Sequence, residues 1–503
     1  MYMVNKYNKE RSKRMHIMKQ SNKTKRTKFK NSECNDNMTF QECELAILRD
    51  SVDENEEYIG RRVVNNDDVK QMLGIVEEFI IKKKLICYGG TAINNILPKN
   101  AQFYNKETEI PDYDFFSPNG VSDCKELADI YYKNGYTEVD AKSGMHVGTY
   151  KVFVNFIPIA DITYLVPEIY KSIHSETIVI AGIHYAPPNY LRMAMYLELS
   201  RPAGDISRWE KVLSRLNLLN KYYPMSNDEC SHIDFQRELD TKMENEEQLY
   251  IIVRDTLINQ GVVFFGGYAF GLYSRYSTDK RYKMKEVPDF DVLSEDPDRT
   301  AMVIKEQLTY SKFKNVKTIK YKPIGELVPE RVEILVGKEI VANIYKPIAC
   351  HSYNKLVINN NEINVATIDT ILSFYLIMIY VDVKLNYNRL ICMANFLFEV
   401  QTQNRLQQRG LLKRFAMNCY GKQETMEDMR AEKAKKYREL KEHGMDKEER
   451  ERWFLKYTPG EKQTSPVNKR KTKKNKQEKV SDKSPMPSNK KTIFEMLRAK
   501  TTN

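Results

Sequence analysis

Two segments of the chain share the same order of apolar and polar positions. In each segment a short apolar stretch is followed by a Gly-Gly pair and a second apolar run, which predicts a strand, a tight turn and the start of a helix. The two segments are Leu-Ile-Cys-Tyr-Gly-Gly-Thr-Ala-Ile at 85–93 and Val-Phe-Phe-Gly-Gly-Tyr-Ala-Phe at 263–270. In both, an Asp-aromatic-Asp sequence begins 23 residues after the first glycine, at Asp112 and at Asp289. The shared spacing indicates an internal duplication.

The similarity continues downstream of these motifs. Ile-Ala-Asp-Ile at 159–162 corresponds to Val-Ala-Asn-Ile at 341–344, and the apolar stretch at 183–188 corresponds to that at 363–368. Each copy then enters an apolar run of helical character, at 190–199 and at 369–380. We therefore predict two α/β units, about 180 residues apart, each leading into helices.

Composition limits the class of protein. The 41% hydrophobic content excludes a wholly disordered chain. The longest strongly apolar stretch, 371–381, is much shorter than the roughly 20 residues that a membrane-spanning helix needs. The basic N-terminal region lacks the apolar segment of a secretory signal. The eight cysteines show no metal-binding spacing, so we expect reduced thiols in a cytosol-like compartment.

The net charge of +12 is distributed unevenly along the chain. Residues 1–31 and residues 456–503 each carry +10, which leaves −8 on residues 32–455. Both ends are poor in apolar residues, so we predict solvated, flexible segments. They could solubilise or target the protein, or they could bind phosphates of a nucleic acid without sequence preference.

The first copy contains a set of residues suited to phosphoryl chemistry. Asp112 and Asp114 are two residues apart in a predicted strand, so their carboxylates point to the same side. Asp161, in a neighbouring apolar stretch, could supply a third carboxylate. Three carboxylates suit a pair of Mg²⁺ ions, which together activate a hydroxyl and stabilise a leaving phosphate. The Gly89-Gly90-Thr91 turn offers backbone N–H groups, a hydroxyl and a helix N-terminus to a triphosphate.

These motifs resemble those of the polymerase-β-like nucleotidyltransferases, and within them the poly(A) polymerase catalytic subunits of large cytoplasmic DNA viruses. The residues that carry the resemblance are four segments: 88–92 (Tyr-Gly-Gly-Thr-Ala), 111–117 (Pro-Asp-Tyr-Asp-Phe-Phe-Ser), 160–163 (Ala-Asp-Ile-Thr) and 201–211 (Arg-Pro-Ala-Gly-Asp-Ile-Ser-Arg-Trp-Glu-Lys). The resemblance covers roughly residues 60–420 and leaves both basic ends outside.

The resemblance implies an α+β fold with two tandem polymerase-β-like nucleotidyltransferase domains of mixed sheet and helices. Each is followed by a helical segment, the second copy is degenerate and the basic ends are disordered. The predicted segments are a basic arm (1–45), a catalytic domain (46–170), a helical segment (171–235), a degenerate domain (236–362), a helical segment (363–421), a charged helix (422–455) and a basic tail (456–503).

The resemblance also implies an activity: template-independent transfer of AMP from ATP to the 3′-hydroxyl of mRNA, with release of pyrophosphate. Asp112, Asp114 and Asp161 are then the catalytic ligands of Mg²⁺ or Mn²⁺, and Gly89, Gly90 and Thr91 contact the ATP phosphates. Arg208 and Lys211 share a helical face that is either solvated or in contact with triphosphate or RNA. The partners are an RNA 3′ end and either a second copy or a viral processivity factor, without a membrane. The expected location is the host cytoplasm, with packaging in the virion as a further option.

The second copy differs at two positions that the chemistry needs. Asn343 replaces the third carboxylate, and Tyr268 replaces Thr91. We therefore predict a catalytically silent copy that serves as a scaffold. Two alternatives stay open for the whole chain: another RNA nucleotidyltransferase, adding uridylyl groups, CCA ends or 2′–5′ oligoadenylate, and an inactive RNA-binding scaffold.

Overall fold

The structure is a computed structural model, and it describes residues 34–35, 37–225, 230, 232–233, 235, 245–278, 289–325, 327–381, 387–444 and 446–460. Most of the predicted basic arm (1–33) and most of the predicted basic tail (461–503) therefore lie outside the described residues. The chain divides into two compact units. One contains residues 1–71 and 104–111, and the other contains residues 72–103 and 112–503. None of the described helices is long and apolar enough to cross a membrane.

The smaller unit is built on the long helix α1, Phe40–Val64. The helix begins with a capping box, in which the Thr39 hydroxyl accepts the backbone N–H of Glu42 and the Glu42 carboxylate accepts the N–H of Thr39. Gly60 lies directly against Thr108, because a Cβ atom at Gly60 would approach the Thr108 carbonyl oxygen to 2.2 Å. Helix α1 begins inside the segment 1–45, which the sequence predicts to be flexible, so that boundary is corrected to residue 39.

The larger unit contains two eight-stranded mixed sheets. The elements around the first sheet are, in chain order, α2 (Asp67–Lys83, which starts in the smaller unit), β1 (Ile86–Cys87), α3 (Gly89–Ile96), β2 (Tyr113–Ser117), α4 (Gly120–Lys133), β3 (Val139–Ser143), β4 (Thr149–Val154), β5 (Ile157–Tyr164), α5 (Pro167–His174), β6 (Ile178–Ile180), β7 (Ile183–Tyr185), α6 (Pro188–Leu199) and α7 (Trp209–Tyr222).

The elements around the second sheet follow in a similar order. They are α8 (Glu246–Asn259), β8 (Val263–Phe264), α9 (Gly267–Ser274), β9 (Phe290–Leu293), α10 (Pro297–Tyr310), β10 (Val316–Tyr321), β11 (Arg331–Val336), β12 (Glu339–Tyr345), β13 (His351–Ile358), β14 (Asn361–Ala366), α11 (Ile368–Val381), α12 (Tyr387–Gln403), β15 (Cys419–Tyr420), α13 (Met426–His443), α14 (Lys447–Phe454) and β16 (Lys456–Tyr457).

Seven consecutive strands follow the same order in the two sheets, and the eighth, β16 or β15, is added at opposite ends. The first runs β16-β3-β4-β5-β2-β1-β7-β6, and the second runs β10-β11-β12-β9-β8-β14-β13-β15. The pairs β2–β5 and β9–β12 are parallel, as are β1–β7 and β8–β14, while the hairpins around them are antiparallel. The duplicated sequence pattern therefore coincides with a duplicated arrangement of strands within a mixed α+β fold.

Helices α6 and α11 pack against each other, and each directly follows the same strand of its own sheet. The rings of Tyr190 on α6 and Tyr380 on α11 meet at 5.7 Å in an edge-to-face contact. Helix α11 is buried on nearly all sides, which explains why its sequence is so uniformly apolar.

The two predicted helical segments need correction, because each contains strands of its own sheet. Strands β6 and β7 lie within 171–235, and β14 and β15 lie within or overlap 363–421. Strand β7 joins the sheet through parallel pairing with β1, where His184 pairs with Ile86. The physical reason is the alternation at 183–185, where Ile183 and Tyr185 are buried and His184 is partly exposed, which favours a strand.

Residues 422–460, here called the C-terminal strap, return to the first sheet. The predicted single charged helix is two helices, α13 and α14, separated at Gly444. Strand β16 then pairs antiparallel with β3, and the Tyr457 hydroxyl donates to Asp129 at 2.6 Å. The Lys433 ammonium also donates to the Gly144 carbonyl at 2.6 Å. The disordered tail predicted from residue 456 is therefore wrong for 456–460, which cover an otherwise open sheet edge.

The expectation of eight reduced cysteines is also wrong for six of them. The structure forms disulfides between Cys34 and Cys43, between Cys230 and Cys392, and between Cys350 and Cys419. Sequence spacing did not reveal these pairs, because two of them close loops of 69 and 162 residues that only the fold brings together. Cys87 and Cys124 are buried free thiols.

Candidate active site

Strand register brings the predicted carboxylates of the first copy together. Asp114 on β2 and Asp161 on β5 are direct partners in a parallel pair, so their side chains emerge side by side on one face of the sheet. Asp112 immediately precedes β2, two residues before Asp114 and on the same side. The structure therefore places all three predicted carboxylates at one location.

Gly89 lies against this group of carboxylates and begins helix α3. Its φ of 74° falls in the left-handed region, which side chains rarely adopt. A Cβ atom at this position would also come within 2.7 Å of Asp114 Oδ2. Both observations explain why the turn requires glycine here: the backbone must pass close to a carboxylate in a conformation that other residues resist.

The turn is held to the strand that bears the carboxylates. The Tyr88 N–H donates to the Asp114 carbonyl at 2.9 Å, and the Thr91 hydroxyl donates to the Asp112 carbonyl at 2.8 Å. The buried Thr91 hydroxyl thus donates its proton to the backbone of Asp112 and holds that residue in place. The sequence predicts a contact with phosphate for Thr91 and did not predict this hydrogen bond. No side chain caps the N-terminus of α3 at Tyr88, and the first N–H groups of a helix have no partners within it.

Crowding raises the proton affinity of the carboxylates. Burial, with the negative charges of Asp161 and Asp112, raises the pKa of Asp114 to about 7. The pKa of Asp112 is also raised, first by partial desolvation and then by Asp161, although Lys151, Lys211 and Arg215 oppose the shift. Because burial and the neighbouring carboxylates both disfavour the ionised form of Asp114, a bound cation would stabilise that form.

One cation of the chain already lies in this group. Lys151 on β4 is the direct antiparallel partner of Asp161 on β5, and its ammonium forms a short ion pair with Asp161 Oδ2. Sequence reasoning missed Lys151, although it occupies a strand position between apolar neighbours in Tyr-Lys-Val, which is a detectable signal.

Further positive charge comes from α7 and the short 3₁₀ turn before it. Arg208 contacts the Glu198 carboxylate at 3.1 Å, and its charge lowers the pKa of Asp114. The charges of Lys211 and Arg215 lower the pKa of Asp112, and the Arg215 guanidinium stacks 4.7 Å from the Phe103 ring. Arg215 was also missed; its spacing of four residues from Lys211 on a helix is the signal that could have found it.

An aromatic residue supports the glycine turn from behind. The Tyr88 ring stacks on Phe116 with ring centres 3.9 Å apart, and its hydroxyl shares a hydrogen bond with Thr163 at 2.9 Å. Burial and the nearby Asp114 raise the pKa of Tyr88, so the phenol stays neutral. Tyr88 therefore ties the β1 end of the turn to β2 and β5, the two strands that carry the carboxylates.

The donor set of this site fits Mg²⁺ or Mn²⁺. Both ions prefer carboxylate oxygens, and two of the three carboxylates have raised pKa values that a divalent cation would relieve. Within the described part of the chain, no three His, Cys, Asp or Glu side chains are arranged so that they could hold a metal ion as they stand. One of the three carboxylates, Asp161, is paired with Lys151.

The second sheet contains the corresponding positions with different chemistry. Asp291 on β9 and Asn343 on β12 are direct parallel partners, and the Asn343 amide donates to Asp291 Oδ1 at 3.0 Å. Gly266 lies even closer to its carboxylate than Gly89 does, because a Cβ atom there would approach Asp291 Oδ2 to 2.1 Å. Tyr268, in the position of Thr91, packs its ring near those of Phe264 and Phe290. Asp289 precedes β9 as Asp112 precedes β2.

A family comparison places the first copy among known proteins. Residues 74–205 match the sequence model of the family described as "Poly(A) polymerase catalytic subunit". The match contains Gly89, the three carboxylates and Lys151, and it ends before Arg208 and Lys211.

Individual relatives come from large DNA viruses. A "putative poly(A) polymerase catalytic subunit" of African swine fever virus (strain Badajoz 1971 Vero-adapted) is 39% identical over 171 residues, which cover 33% of this chain and 36% of that protein. One from Acanthamoeba polyphaga mimivirus is 32% identical over 226 residues, covering 42% and 36%. This chain thus aligns with about a third of the length of each relative.

The fold of nearly the whole chain has a solved counterpart. The crystal structure of the Megavirus polyadenylate synthase superimposes with a TM-score of 0.69, covering 87% of this chain and 89% of that one at 21% identity. The predicted resemblance to poly(A) polymerase catalytic subunits of large DNA viruses is confirmed by these matches.

Proposed function

We propose that this protein is a poly(A) polymerase that transfers AMP from ATP to the 3′-hydroxyl of RNA. The observation that carries the proposal is the direct pairing of Asp114 with Asp161, next to Asp112 and the glycine turn at Gly89. This arrangement joins a cation-binding group of carboxylates to an uncapped helix N-terminus that suits phosphate. The family match over residues 74–205, which includes these residues, and the similarity to viral poly(A) polymerase catalytic subunits support adenylyl transfer over other phosphoryl chemistry.

Each element of the site has a part in this reaction. Two Mg²⁺ ions held by Asp112, Asp114 and Asp161 would lower the pKa of the RNA 3′-hydroxyl and neutralise the departing pyrophosphate. The backbone N–H groups of Gly89 and Gly90 bind the triphosphate. Arg208, Lys211 and Arg215 supply positive charge near the carboxylates, for the phosphates of ATP or RNA. Asp161 is the candidate acceptor for the proton of the 3′-hydroxyl.

The second copy is proposed to be a silent scaffold with the same ancestral fold. Its carboxylate Asp291 is already bound by the Asn343 amide, which brings no negative charge for divalent ions. The bulky Tyr268 ring occupies the position where Thr91 anchors the strand. With fewer carboxylates and a larger side chain at the turn, this copy is poorly suited to bind metal and triphosphate together.

The test compares matched variants of the two copies in extension of an RNA primer with ATP. Asp112→Ala should lose AMP incorporation by several orders of magnitude. The double variant Asp289→Ala/Asp291→Ala, its counterpart in the second copy, should retain most of it. Circular dichroism and thermal unfolding control for folding. The reverse pattern would disprove the assignment of the catalytic copy.

The nucleotide must be tested separately, because pocket shape sets base selectivity. Purified protein is incubated with the primer and one NTP at a time. Long products with ATP alone support poly(A) synthesis, whereas extension with UTP or CTP, or 2′–5′ linkages, supports the alternative transferases. Absence of any Mg²⁺- or Mn²⁺-dependent incorporation would favour the inactive RNA-binding scaffold.

The basic ends are proposed to tether RNA to the acidic middle of the chain. Because β16 ends at Tyr457, a truncation that keeps all the described helices and strands removes residues 1–33 and 461–503. It should weaken RNA binding and flatten its salt dependence, while transfer at saturating primer persists. Abolished transfer would refute this division of labour. Homodimerisation and a separate processivity subunit stay alternative predictions, which sedimentation of the purified chain begins to separate.

A further inference from the structure

Lys151 occupies an unusual place for a lysine in a site that is proposed to bind metal. Its partner Asp161 is one of the three carboxylates, and the two residues face each other directly across the β4–β5 pair. The side chains are 38% and 26% exposed, so the ion pair is partly shielded from water. Shielding makes the pair stronger than the average surface salt bridge.

Lys151 influences the whole group of carboxylates, beyond its direct partner. Asp161, to which its ammonium is paired, is the direct strand partner of Asp114, and Asp112 lies two residues before Asp114 on the same side. The ammonium is therefore placed at the group of carboxylates where a divalent cation would bind. A bound cation and the Lys151 ammonium would compete for the same Asp161 oxygen.

The second sheet offers an internal comparison. There Glu333 on β11 is the direct partner of Asn343, just as Lys151 is the direct partner of Asp161. Glu333 is buried and paired with Arg331 at 3.2 Å. The first sheet thus has a lysine opposite the third carboxylate, and the second sheet has a glutamate opposite the amide that replaces that carboxylate. A lysine occurs at this position only in the sheet that has a carboxylate for it to neutralise.

We propose that Lys151 is an internal counter-ion that occupies Asp161 in the absence of metal and is displaced when a divalent cation binds. The inference rests on the proposed function, because it requires that the carboxylates bind metal. Lys151 is a positioning residue in this scheme, because its ammonium neutralises Asp161 before metal binds. It weakens metal binding, since the cation must displace the ammonium from Asp161. Metal affinity is consequently set by a residue that is not itself a ligand.

The test measures Mn²⁺ binding to the full-length, metal-stripped protein by electron paramagnetic resonance, without substrate. Lys151→Met, which keeps the length of the side chain but removes its charge, should bind Mn²⁺ about tenfold more tightly, equivalent to about 1.4 kcal/mol. Lys151→Arg should stay within about twofold of wild type. Lys355→Met is the matched control on β13 of the second sheet, because Lys355 pairs with Glu362 at 2.6 Å away from the three carboxylates, and it should leave Mn²⁺ affinity unchanged.

Thermal unfolding supplies a second measurement on the same variants. In EDTA, Lys151→Met should unfold at a lower temperature than wild type, and saturating Mn²⁺ should remove most of that deficit. A purely structural salt bridge would leave the deficit equal with and without Mn²⁺. That result, like unchanged or weaker Mn²⁺ binding by Lys151→Met, would overturn the proposal.

One further variant separates this proposal from the proposed function. If wild type binds Mn²⁺, Asp114→Ala does not, and Lys151→Met equals wild type, then only the counter-ion role fails. If neither wild type nor Lys151→Met binds Mn²⁺, the proposed metal site fails and the counter-ion role fails with it.

Discussion

The carboxylate Asp114 should destabilise the metal-free protein above neutral pH. Its pKa is raised from 3.8 to about 7 by burial and by Asp161 and Asp112. The folded state therefore holds the proton more tightly than the unfolded chain, and stability falls as the pH rises between these two values. At about 1.4 kcal/mol per pH unit, the cost reaches at most about 4 kcal/mol once the pH exceeds the folded-state pKa.

Replacing this carboxylate by its neutral isostere should recover part of that cost. We expect Asp114→Asn to raise the free energy of unfolding by about 2 kcal/mol at pH 8, since the buried amide still pays a desolvation cost. Most of the gain should develop between pH 5 and pH 8. The measurement is urea unfolding in EDTA, followed by circular dichroism at several pH values. The same variant should be nearly inactive in AMP transfer.

The matched control is Asp291→Asn, the same substitution on the same strand position of the second sheet. Asp291 already accepts a hydrogen bond from the Asn343 amide at 3.0 Å, so its substitution should bring no such gain at pH 8. No stabilisation by Asp114→Asn at pH 8, or a stabilisation that was equal at pH 5 and pH 8, would refute this prediction. Burial and the neighbouring carboxylates would then not destabilise the ionised form of Asp114.

Three other changes have expected outcomes. Gly89→Ala should reduce AMP transfer by at least about tenfold and lower the free energy of unfolding by roughly 1–2 kcal/mol, because the left-handed φ of 74° and the 2.7 Å approach to a carboxylate both oppose a Cβ atom. Primer extension and urea unfolding measure the two effects, and wild-type activity would contradict the prediction. Asn343→Asp should lower the free energy of unfolding increasingly as the pH rises, since it places a second carboxylate next to Asp291, and AMP transfer should not change. A free energy of unfolding that does not depend on pH would argue against repulsion. Truncation after Gly460 should leave the melting temperature unaltered, whereas truncation after Gly421 should lower it by several degrees, because it removes β16 and its contacts. Equal melting temperatures would show that the C-terminal strap contributes little to stability.

The carboxylate site was predictable because its determinants are local in sequence. The spacing of Asp112 and Asp114 in a strand fixes the face on which they lie, and the glycine pair marks the turn beside them. Asp161 was found by its apolar surroundings, although only the register of β5 against β2 shows that it lies directly beside Asp114. The shared spacing of these motifs indicated an internal duplication, and seven consecutive strands follow the same order in the two sheets.

Features that depend on long-range pairing escaped sequence analysis. Strand β16 is two residues long and carries no strand signal of its own, and it exists because β3 offers it an open edge. The disulfide between Cys230 and Cys392 joins residues 162 positions apart. Lys151 was not identified from the sequence, because only the register of β4 against β5 brings its ammonium to Asp161. Each of these depends on which strands or helices become neighbours.

The two sheets show two ways of stabilising the same backbone arrangement. In both, a glycine lies against an aspartate whose direct strand partner determines the local charge. In the first sheet that partner is Asp161, and the excess negative charge is balanced by Lys151, which a stronger cation could replace. In the second sheet Asn343 satisfies Asp291 with a neutral hydrogen bond, so no exchangeable cation is needed. A site that binds metal needs carboxylates whose negative charge is not neutralised by permanent partners. A scaffold has no such need, and its carboxylates can be hydrogen-bonded permanently.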